Sequence, residues 1–126
     1  MPLASGSRFG AFDIVAKIGE GGMGEGYRAH DPSLKRDVAI KIITQAFSED
    51  GDGRARFQRE AHLLASLNHP HIASVFGLVE DAGVRGLVME LVDGPTLAER
   101  LASGALPRRE ALASTCDIAA ALEAAH

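Results

Sequence analysis

The 126 residues carry 13 Lys plus Arg against 17 Asp plus Glu, a formal net charge of −4, which excludes the clustered positive charge of a nucleic-acid binder. A single cysteine excludes an intramolecular disulfide, and 46% hydrophobic with 24% charged residues is the balance of one globular domain. No run approaches the ~18 apolar residues of a membrane span, and Met1-Pro2-Leu3-Ala4-Ser5-Gly6-Ser7-Arg8 lacks the apolar core of a signal peptide, so a soluble cytoplasmic domain is expected.

Residues 1–8 are small and polar and read as a frayed lead-in. Phe12 to Ile18 is rich in β-branched residues and runs into the glycine cluster Gly19-Glu20-Gly21-Gly22-Met23-Gly24. Glu25 to Ala29 reads as a return strand stopped by His30-Asp31-Pro32-Ser33. Val38 to Ile43 is a third strand with one charge, Lys41, on the face it shares with Ala39 and Ile43. From Arg54 to Leu67 the period becomes helical, with Phe57, Ala61, Leu64 and Leu67 on one stripe and Arg59, His62 and Ser66 opposite. Ile72 to Val79 and Val84 to Val92 are two more strands around the hairpin signal Glu80-Asp81-Ala82-Gly83. Thr96-Leu97-Ala98-Glu99 fits a capping box, and a last helix opens near Pro107 with Ala111, Thr115, Ile118, Leu122 and Ala125 in line. Five strands, one inserted helix and two following helices make an α+β order.

Three features carry chemistry. The glycine cluster contains G-x-G-x-x-G, whose backbone can approach a phosphate, although the same residues also serve as a ligand-free turn. A dinucleotide fold needs a helix immediately after such glycines, and Glu25 to Ala29 followed by Asp31-Pro32 leaves no room for one. Lys41 interrupts an apolar strand; on an edge strand it would point to water, and inside a sheet it needs an anion. Glu60 lies within the apolar arc of the inserted helix, where it is expected to point inward to a cation, Lys41 being the nearest unexplained one, with bending out to solvent as the alternative. His69 and His71 lack the further ligands a metal centre needs and read as a helix exit. Cys116 reads as a small packing residue, and His30 and His62 as surface residues. Arg54, Arg56 and Arg59 read as a solvated basic edge.

Taken together and in this order, these segments resemble the protein-kinase family, specifically the bacterial Ser/Thr kinases. The glycine cluster is similar to the family's nucleotide loop, Val38-Ala39-Ile40-Lys41 to its V-A-I-K strand, and Val88 to Gly94 to its hinge. Phe57-Gln58-Arg59-Glu60-Ala61 with Leu67-Asn68-His69-Pro70-His71-Ile72 is similar to its C-helix and the exit from it. The resemblance implies a small lobe, a five-stranded antiparallel sheet with one C-helix, over residues 9–92 including the hinge. Two helices of an incomplete helical lobe would fill 93–126.

It also implies ATP bound by Ile18, Gly19, Glu20, Gly21, Gly22, Met23, Gly24, Gly26, Ala39, Lys41, Met89, Glu90 and Val92. Lys41 would hold phosphates and Glu60 would orient it, Met89 would be the gatekeeper, and the Glu90 carbonyl and Val92 amide would bond the adenine edge. Gly26 departs from the family, which has Val there to cover one adenine face, so weaker packing is expected. Mg²⁺ is implied with ATP, yet neither H-R-D-x-x-x-x-N nor D-F-G occurs in these residues, and His126 resembles the end of the helix before the catalytic loop. No catalytic residue or metal ligand is therefore expected here. The reading is the ATP-binding part of a Ser/Thr kinase, inactive as this isolated chain, whose full-length relatives act on protein substrates. The alternative is a non-catalytic nucleotide-binding or kinase-interaction module. The apolar stripe of the last helix is expected to drive self-association.

Overall fold

The computed structural model describes residues 3–21, 24–43 and 51–126, with the side chains of 21, 51–54, 56 and 57 excepted. Strands β1 (Arg8–Phe9), β2 (Phe12–Gly21), β3 (Gly24–Asp31) and β4 (Arg36–Ile43) precede α1 (Gly51–Ser66). Then come β5 (Val75–Asp81), β6 (Val84–Met89), α2 (Leu97–Ala102) and α3 (Arg108–Ala125). The strands form one antiparallel sheet in the order β1-β2-β3-β4-β6-β5. Five of the six are the strands expected. The sixth, Arg8–Phe9, is too short for any periodicity to announce.

Alternation along β3, β4 and β6 sends their side chains to two unlike faces. On one face Ile14, Tyr27, Ala29, Val38, Ile40 and Val88 close a core with Phe9. Each large aliphatic chain buried there is worth about 1.5–3 kcal/mol. On the other face Leu87, Ile43 and Val75 receive α1, whose buried contact among the described side chains is Ala61. The expected α1 stripe is thus only partly used: Leu67 is half-buried, Leu64 is 42% exposed, and Phe57 lies outside the described side chains.

The lead-in is not frayed where it is described. Leu3 packs on the core and its amide donates to the Tyr27 hydroxyl at 2.9 Å, while Gly6 N–H donates to Ile14 O and Ile14 N–H to Ser7 O, both at 2.8 Å. A buried phenol needs a polar partner, and the chain 24 residues upstream supplies one. The Glu80–Gly83 signal closes as a two-residue turn, with Ala82 and Gly83 both at positive φ, the sense that matches strand twist. Thr96 caps α2 by accepting from Glu99 N–H at 3.1 Å. Cys116, expected to pack, is exposed on α3, as are Ile118 and Leu122.

Two positions carry clear stability consequences. At Gly86 an added Cβ would stand 2.9 Å from Ile40 Cγ2 and 3.3 Å from Val79 Cγ1, whereas at Gly77 it would meet nothing within 4 Å. Chemical denaturation of Gly86→Ala should show a loss of about 1–3 kcal/mol, the cost of overpacking. Gly77→Ala should be neutral or slightly stabilising.

Across β3 and β4, Asp37 accepts from Arg28 Nε and Nη2 at 3.0 and 2.8 Å and meets His30 Nδ1 at 2.8 Å. His30, read as a lone surface residue, is therefore paired. The hydrogen bond from His30, then those from Arg28, hold the Asp37 carboxyl below its usual value. A depressed folded-state pKa means stability present above the unfolded carboxylate value and lost as pH falls through the folded one. In denaturation midpoints against pH, Asp37→Asn should flatten this acid limb and leave the slope near neutrality unchanged.

Candidate nucleotide site

The site is set by register. Lys41 stands opposite Gly26 on β3 and opposite Leu87 on β6, and Ala39 stands opposite Arg28 and Met89. One sheet face therefore presents Gly26, Ala39, Lys41 and Met89 together, the face α1 also touches. Ile18 falls at an irregularity between Lys17 and Gly19 and is 52% exposed. Its Cγ1 lies 3.8 Å from where a Gly26 Cβ would be, so it joins the same face. A bulge at this point re-aims one side chain without breaking the ladder.

The β2–β3 pairing continues through Gly19↔Gly26, Glu20↔Glu25 and Gly21↔Gly24, so the glycines form a strand-to-strand hairpin with no helix behind it. Gly24 has φ 130°, a region closed to most side chains. Gly22 and Met23, expected in the loop tip, lie outside the described residues. Carboxylates flank this hairpin but on the reverse face: Glu25 alternates with Gly26 and accepts from the Tyr27 hydroxyl. Lys17 Nζ sits 3.1 Å from Glu20 and 3.6 Å from Glu25. The Tyr27 hydrogen bond is the largest cause lowering the Glu25 pKa, the bond to Glu20 is the largest raising that of Lys17, and burial leads in raising that of Tyr27. This network was not singled out from sequence; the alternation of Lys17, Glu20 and Glu25 around a glycine turn was the available signal.

At the end of β6 the chain leaves the ladder. Glu90 N–H donates to Ser74 O at 2.8 Å and Glu90 Oε1 accepts from Ser74 N–H at 3.1 Å, which fixes the segment against the start of β5. The Glu90 carbonyl and the Val92 amide make no hydrogen bond among the described residues. An acceptor and a donor two residues apart are thus left open beside Met89.

The expected ion pair is not made. Lys41 is half-buried and Glu60 is exposed, and neither side chain has an ion pair or hydrogen bond among the described residues. Of the two outcomes open to Glu60, bending out to solvent is the one observed. Among the described side chains of the helix, Ala61 is the one buried against the sheet.

Among the described residues no group of three or more His, Cys, Asp or Glu is arranged to hold a metal ion. The rings of His69 and His71 lie 5.4 Å apart, tilted by 59°; His69 Nδ1 accepts from the His71 amide, and His71 Nε2 sits 3.3 Å from Asp117 on α3. These contacts tie the exit of α1 to α3. A groove of 340 Å³ opens beside them, lined by Ile72, Ile118 and Leu122, away from Lys41. No described helix is long and apolar enough to cross a membrane.

A model of the protein kinase domain matches residues 12–126. The serine/threonine-protein kinase PknF of Mycobacterium tuberculosis (strain H37Rv) is 44% identical over 130 residues, spanning 100% of this chain and 27% of PknF. PrkC of Bacillus subtilis (strain 168), also a serine/threonine-protein kinase, is 42% identical over 118 residues, 93% of this chain and 18% of PrkC. The crystal structure of the M. tuberculosis PknI kinase domain superposes with a TM-score of 0.84 at 36% identity, covering 99% of this chain and 51% of that one. Rad53 in complex with AMP-PNP superposes at 0.76 with 27% identity, covering 90% of this chain and 29% of that one. The chain spans about a quarter of PknF and half of the PknI kinase domain. A glycine hairpin followed by a strand lysine, an inserted helix and a segment that leaves the ladder after β6, matched by sequence from residue 12 onward, makes this chain a member of the protein kinase family.

Proposed function

We propose that this chain is the ATP-binding part of a cytoplasmic serine/threonine protein kinase, with residues 9–92 as small lobe and hinge and 93–126 as the first helices of the large lobe. The observation that carries this reading is the open pair at Glu90 C=O and Val92 N–H, beside a face made of Ile18, Ala39 and Met89. A flat neutral ring set between aliphatic walls and bonded along one edge by backbone groups is a sound mode of base recognition. The amides of Gly19, Glu20, Gly21, Gly22, Met23 and Gly24 would approach the phosphates, and Lys41, with no anion of its own, would supply the positive charge.

The family uses Mg²⁺ with ATP, but the donor set does not fit a metal here. Glu60 is exposed, Glu80 stands opposite Arg85, and among the described residues no three His, Cys, Asp or Glu come together on this face. These 126 residues would therefore hold and orient nucleotide without moving a proton or phosphoryl group. In the complete protein, transfer to a protein Ser or Thr hydroxyl would depend on residues outside them. A non-catalytic nucleotide-binding or kinase-interaction module shares the same pocket; it predicts the same binding and no transfer in any longer form.

Titration with MgATP, read by thermal shift and by calorimetry, tests the site. ATP at about 100 Kd should raise stability by about 2.7 kcal/mol. Lys41→Met should weaken binding by roughly 10- to 100-fold, the scale of a charge-assisted hydrogen bond. Gly26→Val meets only ordinary contact distances, 3.8 Å to Ile18 and 4.0 Å to Gly19, and should tighten binding about two- to fivefold by covering one base face. No shift with the unaltered chain, or equal shifts in chain and Lys41→Met, would remove the site.

The exposed Leu112, Ile118 and Leu122 on α3 extend the proposal to self-association of the isolated 126 residues. Light scattering should show mass growing with concentration; a monomer throughout would contradict it.

A further inference from the structure

The lead-in and the glycine hairpin meet at one hydroxyl. Leu3 N–H donates to the Tyr27 oxygen at 2.9 Å, and the Tyr27 O–H donates to Glu25 Oε2 beside the β2–β3 turn. A backbone N–H can only donate, so it takes a lone pair of the phenol oxygen and leaves the single O–H for the carboxylate. Tyr27 is fully buried, and these two bonds meet its one polar atom. The rest of the lead-in is fastened to β2. Ser5 Oγ donates to Val15 O at 2.5 Å, Gly6 N–H donates to Ile14 O, and Ile14 N–H donates to Ser7 O. Residues 3–7 thus form a strap, tied at residues 5–7 to β2 and at Leu3 to β3.

What the strap reaches is an unfavourable rung. Glu20 stands directly opposite Glu25, next to the Gly21↔Gly24 pair at the end of the described ladder. Like charges opposite each other on one sheet face weaken the pairing. Two groups offset this: Lys17 Nζ, 3.1 Å from Glu20 and 3.6 Å from Glu25, and the Tyr27 hydroxyl. Lys17 is shared between two acids in partial contact with solvent, which screens it. The Tyr27 bond goes to Glu25 alone. Gly19, Gly21 and Gly24 have no side chains with which to hold the turn, so among the described residues these reverse-face contacts fix it.

We propose that Tyr27 is a positioning residue for the glycine hairpin: seated by the strap at Leu3, it holds Glu25 and so sets how the hairpin amides lie over a bound triphosphate. The triphosphate rests on the nucleotide reading given above; the hold on the hairpin does not. The strap thereby acts on the nucleotide site although the kinase-domain match begins only at residue 12.

Two measurements test this. In amide hydrogen exchange on the nucleotide-free chain, Tyr27→Phe should quicken exchange across 19–21 and 24–26 more than at Val38 and Ile40 in the core. In titration, Tyr27→Phe should weaken MgATP about five- to tenfold, the low end of coupling between two sites, and leave adenosine, which has no phosphates, within about twofold. In a Glu25→Ala background the same change should alter MgATP affinity by less than about twofold, as it must if Tyr27 acts through Glu25. Leu3→Pro lacks the amide donor and should reproduce part of the MgATP loss, whereas Leu3→Ala keeps the donor and should leave the MgATP-to-adenosine ratio unchanged. Leu3→Pro also leaves Tyr27 in the core, so it answers the same question should Tyr27→Phe fail to fold. Equal losses for MgATP and adenosine overturn the inference, as does a loss that survives Glu25→Ala or exchange that quickens equally in hairpin and core. If no variant binds nucleotide, exchange alone decides: a response confined to the hairpin supports the hold by Tyr27 while the nucleotide reading falls.

Discussion

Gly26, Lys41 and Leu87 stand in one row across three antiparallel strands, and that row organises the rest of the site. A ladder of period two allows no side chain to change faces without shifting every neighbour by one residue. Val38, Ile40 and Tyr27 are fully buried on the opposite face, so the register is held by a core that a slip would expose. Lys41 is therefore placed by apolar packing on the other side of the sheet, not by any partner of its own. The cation is committed to its face before anything anionic arrives.

Helix α1 is held by much less. Where the sheet core joins seven buried residues, the contact of α1 with β4, β5 and β6 is built around Ala61 and Leu87. A residue with one methyl group contributes little apolar area, and the long chains beside it, Leu63 and Leu64, are largely exposed. Among the described side chains of α1, Glu60 is exposed and reaches neither Lys41 nor any other cation. Family membership does not depend on a Lys41–Glu60 contact: the match in sequence and in fold extends over nearly every residue.

What could be read from the sequence was whatever is local. The hairpin at Ala82–Gly83, the Thr96 cap and the face of Lys41 each follow from a few adjacent residues, and each is found in place. The α1 wheel turned Glu60 inward but carried no information on how the helix approaches the sheet, and Glu60 lies exposed. The lead-in was misjudged for the same reason. Leu3 and Gly6 are small and bland in isolation, and their seats depend on Tyr27 and Ile14, far along the chain.

The distribution of acids around the glycine hairpin completes the electrostatic picture. An acidic chain that is to hold a polyanion must keep its own carboxylates off the approach. Glu20 and Glu25 stand across from each other near the turn, which by proximity alone would repel phosphate. Alternation puts Glu25 on the Tyr27 face, opposite to Gly26 and Lys41, and Lys17 draws both acids to itself on that reverse side. The hairpin thus presents glycine amides to one face and a lysine-bridged acid cluster to the other. With those two acids occupied and Glu60 turned out to solvent, Lys41 would, on the proposed reading, be the charge a phosphate meets on this face of the strands. Under the proposed reading, a weakly packed base and a strongly attracted phosphate tail would follow from Gly26 and Lys41 standing opposite each other in the same row.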